Sequence, residues 1–264
     1  TVNQRPLNAT LARQYDGTTT AAGSTLSSFD ALQGGETLTM TGSGTAASAN
    51  VANGIAMSSN GTLALADGTG LASNYSLNST VINIAQRVLN SSGSKTYDAN
   101  TDALAGAITL SNLVSGEALN HSGTATISSA NAGSYTITNL SGISIADGSG
   151  GTASNYTLTG GTHNFTINQR PLAATIARQY DGTKTAAGSD LSSFDALQGG
   201  ETLTLSGSGT VGDENVANGQ GVTLGSLALV NGTGLASNYS LNSASLNITK
   251  RVLNSSGSKT YDAN

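Results

Sequence analysis

Short alternations of apolar and polar residues run the length of the chain. Leu7, Ala9 and Leu11 alternate with Asn8, Thr10 and Ala12, the two-residue period of a strand with one buried face. Thr37–Thr41 repeats the pattern with Leu38 and Met40 inward. Leu63 and Leu65 follow, then Tyr75 and Leu77, then Ile82 and Ile84. Between these runs stand Gly34-Gly35, Asn53-Gly54, Asn60-Gly61 and Asp67-Gly68, pairs that tolerate positive φ and make turns. No window sustains a 3.6-residue period, so no helix is predicted. Six or seven short strands with regular turns predict an all-β chain built of small Ig-like antiparallel β-sandwich modules.

The pattern recurs. Tyr-Asp stands at Tyr15-Asp16, Tyr97-Asp98, Tyr180-Asp181 and Tyr261-Asp262, in steps of 82, 83 and 81 residues. Arg5, Arg87, Arg170 and Arg251 keep the same steps. Glu36, Glu117 and Glu201 each follow a glycine, and Ala-Ser-Asn-Tyr ends at Tyr75, Tyr156 and Tyr239. The units alternate in type. Residues 3–39 and 168–204 agree at 33 of 37 positions, and 87–100 and 251–264 at all 14. The expected organisation is therefore a type A repeat at 1–84, type B at 85–167, type A at 168–249, and the start of a second type B at 250–264. A longer array is expected from that incomplete fourth unit. A β-solenoid with coils of ~20 residues is the alternative fold, since a polar, Gly-rich chain suits repeat architectures. Within one unit no such short self-similarity exists, which favours separate sandwiches.

The junctions contain no Gly/Ser linker. Val81–Ala85 is followed at once by Gln86-Arg87-Val88-Leu89, and Phe165–Asn168 by Gln169-Arg170-Pro171-Leu172. One repeat's last strand is expected to run almost directly into the next repeat's first, which restricts hinging.

Composition then removes functions. The chain has no cysteine, which excludes disulfides, thiolate catalysis and cysteine zinc sites. Its ten Lys and Arg are scattered and give no basic face for nucleic acid. No apolar run reaches the ~18 residues of a membrane helix, so no membrane insertion of this segment is expected. Charged residues are only 9% and the net charge is -5. The polar content is Ser, Thr, Asn and Gly, which predicts folded modules with thin cores.

The candidate residues read mostly as structural. Tyr15 is expected to cap a thin core, with Asp16 and Gly17 forming the turn after the strand. Tyr97-Asp98 and Tyr180-Asp181-Gly182 are read the same way. Glu36, Glu117 and Glu201 stand one per unit, without the second group that acid–base catalysis needs, and are expected to bond near turns. Asp67-Gly68 and Asp147-Gly148 offer too few carboxylates for calcium. His121 and His163 occur only in the second unit and are expected to be exposed. Lysine is absent from residues 1–86, which argues against a general isopeptide crosslink. Sequons at Asn8, Asn60, Asn74, Asn90, Asn155 and Asn238 are what an Asn-, Ser- and Thr-rich chain generates by chance. No metal or cofactor is expected, and no enzyme, because no nucleophile–base pair recurs.

An Arg-Pro-Leu strand, Tyr15-Asp16-Gly17 and Tyr180-Asp181-Gly182, and the late Ala-Ser-Asn-Tyr strand together resemble the YDG and MBG-type repeats. These occur in large bacterial surface adhesins of the filamentous-haemagglutinin kind. In the B units Ala99 and Ala263 replace the motif glycine. The resemblance implies β-rich stalk modules in an exported chain, at a bacterial surface or in a secreted matrix, with neighbouring repeats as first partners. Two alternatives are a repeated glycan- or surface-binding module and lateral self-association in a fibre or biofilm. The first predicts exposed tyrosine rows, whereas a stalk predicts buried tyrosines.

Overall fold

A computed structural model describes residues 2–261. Residues 262–264, with the fourth Tyr-Asp aspartate, lie outside the described residues. Strands make up 54% of the chain and no helix reaches seven residues, so the all-β expectation holds. The chain forms two compact units that do not follow the repeats: Thr1–Gly93, Leu104–Ala125 and Ile137–Asn164 in the first, Ser94–Ala103, Thr126–Thr136 and Phe165–Asn264 in the second. The second repeat therefore contributes to both.

The first repeat carries β1 (Arg5–Gln14), β2 (Thr20–Ala22), β3 (Leu26–Phe29), β4 (Leu38–Thr41), β5 (Ser43–Ala46), β6 (Ala52–Ser59), β7 (Ala64–Asp67) and β8 (Tyr75–Ala85). Six strands form one sheet in the order β2-β5-β6-β8-β1-β3, and β4 pairs with β7 in a second. The inward residues are those of the alternation. Ala9 and Leu11 of β1, Ile82 and Ile84 of β8 and Met40 of β4 share one buried cluster, which makes the two sheets a sandwich. The chain changes sheet at Gly42. Its φ is +74°, and a Cβ there would lie 2.0 Å from the Thr62 carbonyl oxygen, so only glycine fits.

One pairing departs from the antiparallel expectation. β1 runs parallel to β8, from Arg5 opposite Tyr75 to Gln14 opposite Ala85. The other pairs of this repeat are antiparallel. A parallel pair needs a crossover rather than a hairpin, and here the rest of the module is the crossover. The consequence is topological: the chain enters at one end of the module and leaves at the other. Alternating polarity marks inward faces but is silent on the direction of a partner strand.

After β8 a single residue, Gln86, precedes the second repeat. That repeat contains β9 (Arg87–Val88), β10 (Asn90–Thr96), β11 (Asp102–Leu104), β12 (Ile108–Ser111), β13 (Leu119–Ile127), β14 (Gly133–Asn139), β15 (Ile143–Asp147), β16 (Tyr156–Thr157) and β17 (His163–Asn168). Within the first unit β9 is parallel to β16, with Arg87 opposite Tyr156. There Asn90–Gly93 pairs with β12 and Leu119–Gly123 with β15.

Gln169 alone separates β17 from the third repeat. Its strands are β18 (Arg170–Gln179), β19 (Thr185–Ala187), β20 (Leu191–Phe194), β21 (Leu203–Ser206), β22 (Ser208–Thr210), β23 (Ala217–Gly221), β24 (Ala228–Asn231) and β25 (Tyr239–Thr249). β18 is parallel to β25 from Arg170–Tyr239 to Gln179–Thr249, the register of the first repeat. Residues 250–261 carry no strand.

Candidate functional site

The parallel first–last pair carries the Tyr-Asp motif to the exit end of its module. The Tyr15 amide donates to the Ala85 carbonyl at 2.9 Å, which fixes the residue at the top of β1. Its ring is 5% exposed and packs edge-on against Tyr156, with centroids 5.4 Å apart and planes at 79°. Tyr156 opens β16 of the next repeat, set by the 3-10 turn Ala153–Asn155. Between the two rings lies Glu117. Its Oε1 accepts the Tyr15 hydroxyl at 2.6 Å and its Oε2 accepts the Tyr156 hydroxyl at 2.6 Å. The Val114 amide donates to the Tyr156 hydroxyl at 3.0 Å.

A second set of contacts flanks these three residues. Asn155 is fully buried. Its Oδ1 accepts the Val51 amide at 2.9 Å, and its Nδ2 donates to Asn50 Oδ1 at 3.0 Å. Arg87 Nη1 reaches the Tyr15 carbonyl at 3.4 Å. Apolar contact continues through the joint. The cluster that holds Leu11 and Ile82 also holds Tyr15, Leu89 and Tyr156. First and second repeats are thus joined by a folded core inside the first unit.

The second unit repeats the construction. The Tyr97 amide donates to the Asn168 carbonyl at 2.9 Å. Its ring lies 5.3 Å from Tyr239, at 75°. Glu201 Oε1 accepts the Tyr97 hydroxyl at 2.6 Å, and Oε2 accepts the Tyr239 hydroxyl. Asn238 accepts the Ala132 amide at 2.8 Å and donates to Asn131 at 3.0 Å. Arg170 Nη1 lies 3.5 Å from the Tyr97 carbonyl.

The electrostatics keep the phenols as donors. Burial, then the hydrogen bond to Glu201, pushes Tyr97 up to about 12 from its ordinary 10.0. Burial and the bond to Glu117 push Tyr156 up to about 12. Tyr15 and Tyr239 are raised by the same causes. An ionised phenol beside a carboxylate would be two like charges in a poorly solvated place. A neutral phenol donating to that carboxylate is a strong bond instead.

The rest of the motif shapes the turn. Asp16 accepts the Thr18 amide and hydroxyl, each at 2.9 Å, and pairs with Arg13. Asp181 does the same with Thr183 and Arg178. The Thr183 amide holds the Asp181 carboxyl below the usual range. In the B repeat Lys95 takes the arginine's place, 2.8 Å from Asp98. Gly17 and Gly182 both have φ +77°, and Ala99 follows Asp98 at φ 64°. A Cβ on Gly17 would stand 2.9 Å from Val114 Cγ1.

Sequence reasoning placed the tyrosines in the core and the aspartate and glycine in a turn. It treated each glutamate as a single carboxylate near a turn. The structure corrects that last reading, since Glu117 and Glu201 each join tyrosines from two repeats. Asn50, Asn131, Asn155 and Asn238 were missed. The signal was available: Asn155 and Asn238 sit within Ala-Ser-Asn-Tyr, and Asn50 and Asn131 are equivalent positions in successive repeats. The expectation of exposed histidines also fails. His163 is 6% exposed, bonded to Ser91 at 2.9 Å and the Leu158 carbonyl at 2.8 Å. His121 lies 3.1 and 2.9 Å from the Ala105 and Ile108 carbonyls. The sequons at Asn155 and Asn238 are buried at 0% and 1% exposure, which leaves no access for a glycan in the folded modules. Among the described residues no group of three or more His, Asp or Glu could hold a metal ion.

Two sets of motif residues stand outside these joints. In the first repeat Tyr75 donates to Glu36 Oε2, and the Gln33 amide donates to Tyr75 at 3.2 Å. In the third repeat Tyr180 keeps the amide bond to Thr249 at 2.9 Å, while its ring is 37% exposed.

A search of curated proteins and one of solved structures each returned no match. A family model does match, three times in succession. The YDG domain model covers residues 3–82, 85–164 and 166–248, each span opening just before a β1-type strand and containing one Gly-Glu and one Ala-Ser-Asn-Tyr. The chain belongs to the YDG domain family, as a tandem of three such domains.

Proposed function

We propose that this chain is a non-catalytic structural stalk or spacer of an exported bacterial adhesin or extracellular filament, projecting a distal adhesive region. The observation that carries the proposal is the tyrosine–glutamate–tyrosine joint, built twice from the same residues at successive repeat boundaries. Three features of the joint suit a load-bearing spacer. The linkers are one residue long. The first and last strands of the flanking modules are parallel. The polar bonds of each joint lie in largely buried surroundings, where they resist competition from water. Stacked repeats of this kind take part of their stability from their neighbours.

The tyrosines favour this reading over a repeated sugar-binding surface. Tyr15, Tyr75, Tyr97, Tyr156 and Tyr239 are all buried and committed to the motif contacts. Small-angle scattering tests the proposal. Three modules in line, each ~35 Å, should give a radius of gyration near ~30 Å. A compact body of this length would give ~18 Å, and that value would overturn the stalk.

A further inference from the structure

Tension in a tandem chain reaches each repeat at the start of its first strand and leaves it at the end of its last. We propose that the parallel pair formed by these two strands is a shear clamp in the first and third repeats. Such a repeat resists strongly when pulled from its ends and yields readily when the same two strands are peeled apart. The inference deepens the stalk reading and rests on it only for the source of the tension.

Strand direction decides how the bonds are loaded. In a parallel pair the start of one strand and the end of the other lie at opposite ends of the ladder. Pulling those two points slides the strands past one another, and every inter-strand bond takes a share of the load. An antiparallel pair would bring both points to one end, and its bonds would open one after another. β1 and β8 run parallel from Arg5 opposite Tyr75 to Gln14 opposite Ala85. β18 and β25 do the same from Arg170 opposite Tyr239 to Gln179 opposite Thr249. The Tyr15 and Tyr180 amides each add a bond at the exit end, to the Ala85 and Thr249 carbonyls at 2.9 Å.

Both pairs are central in their sheets. β6 and β3 flank the first, and β23 and β20 flank the second. Their inward faces are core: Leu11 and Ile82 are fully buried, and so are their counterparts Ile176 and Leu246. Neighbouring strands and core keep water from taking over the bonds as they stretch, so the ladder holds until it gives way as a whole. Resistance to force is then set by the barrier to unfolding rather than by equilibrium stability.

The second repeat shows what interrupts such a pair. Its β9 and β16 are paired at Arg87–Tyr156 and Val88–Thr157 only. The Leu89 amide donates to the Thr157 carbonyl at 2.8 Å, and the Ser91 amide next reaches the Thr162 carbonyl at 3.0 Å. Leu89 to Ser91 on the first strand therefore spans Thr157 to Thr162 on the last. In the first repeat Leu7 to Ala9 spans only Leu77 to Thr80. The extra length in the second repeat holds Gly160 and Gly161. It is slack that must be drawn out before load reaches β16, which confines the proposal to the first and third repeats.

Single-molecule pulling on the full 264-residue chain tests the proposal, with handles on engineered cysteines, since the chain has none of its own. Gln4→Cys with Ala85→Cys loads the β1–β8 pair in shear. Gln4→Cys with Ser73→Cys grips the same pair at its entry end, where the Gln4 side chain bonds the Ser73 carbonyl, and peels it. Gln169→Cys with Thr249→Cys, and with Ser237→Cys, repeats the comparison on β18 and β25, the Gln169 side chain bonding the Ser237 carbonyl. All six positions are exposed, so each variant keeps the parent's core. At one loading rate the rupture force should be several times higher in shear than in peeling, in both repeats. Equal forces in the two directions would overturn the clamp, and so would a higher force in peeling. That failure would leave the stalk reading standing, because the stalk fails separately, on a compact scattering radius.

Discussion

The two joints use the same polar residues and different steric neighbours. At the first, Tyr15 meets Glu117 and Tyr156, and Gly17 sits under Val114. At the second, Tyr97 meets Glu201 and Tyr239, and Ala99 takes the glycine's place at φ 64°. The phenol–carboxylate–phenol bridge, the asparagine and the arginine are kept in both. The residue after the aspartate and the residue facing it change together. The comparison separates the hydrogen bonds that both joints share from the steric fit that differs between them. Hydrogen bonds are the shared fastening. A methyl group after the first aspartate would press on Val114, so a glycine end suits the valine-lined cavity better than an alanine end does.

The largest effect should come from removing a ring. Tyr97→Ala deletes a buried aromatic and strands one oxygen of Glu201, so stability should fall by about 3–5 kcal/mol in denaturant unfolding. Tyr180→Ala, on an exposed ring, should cost well under half as much. Equal losses at the two sites would show that Tyr97 owes its stability contribution to its own module alone.

The steric half of the comparison is next in size. Gly17→Ala and Gly182→Ala both force alanine into φ +77°, at about 1–2 kcal/mol each. Gly17→Ala also drives a Cβ into Val114, so it should cost about 1–3 kcal/mol more than its counterpart. Val114→Gln should recover that excess in the double variant. Equal costs for the two alanines would remove the steric role of Val114.

Smaller again is the loss of one hydroxyl. Tyr15→Phe keeps the ring and removes one charge-assisted bond, for about 1.5–3 kcal/mol. The same bonds can be read through pH. Tyr97 and Tyr156 are raised to about 12 in the folded chain from 10.0. Between those values the unfolded chain has lost protons that the folded chain keeps, so stability is full below pH 10 and falls as pH rises toward 12. Tyr97→Phe should flatten part of that fall in a pH series of melts. The smallest effect belongs to the exposed turn. Asp16→Ala removes the pair with Arg13 and the bonds to Thr18, and should cost about 1 kcal/mol or less. A larger loss would give the aspartate a share in the joint.

Much of the fold was legible. Leu7, Ala9, Leu11, Ile82 and Ile84 are inward as their alternation indicates, and the repeat markers located the residues that later meet. Their partners were not legible. Tyr15 stands 21 positions before Glu36 and 102 before Glu117, and spacing alone favours the nearer one. The choice is made by β1 running parallel to β8, which puts Tyr15 at the exit end and Glu36 at the entry end of the same module. Hydrophobic periodicity carries no strand direction. His163 escaped for a related reason. Its burial goes with Ser91, a serine 72 positions away on the neighbouring strand of the same sheet, whose hydroxyl meets its ring.

The central claim is that neighbouring repeats share folded joints rather than merely a chain. Calorimetry of the parent against a Tyr15→Ala, Tyr97→Ala double variant tests it most directly. The account predicts a parent that melts in one cooperative transition and a variant that melts earlier over a broader, divided range. A variant that keeps the parent's transition in both midpoint and width would contradict it.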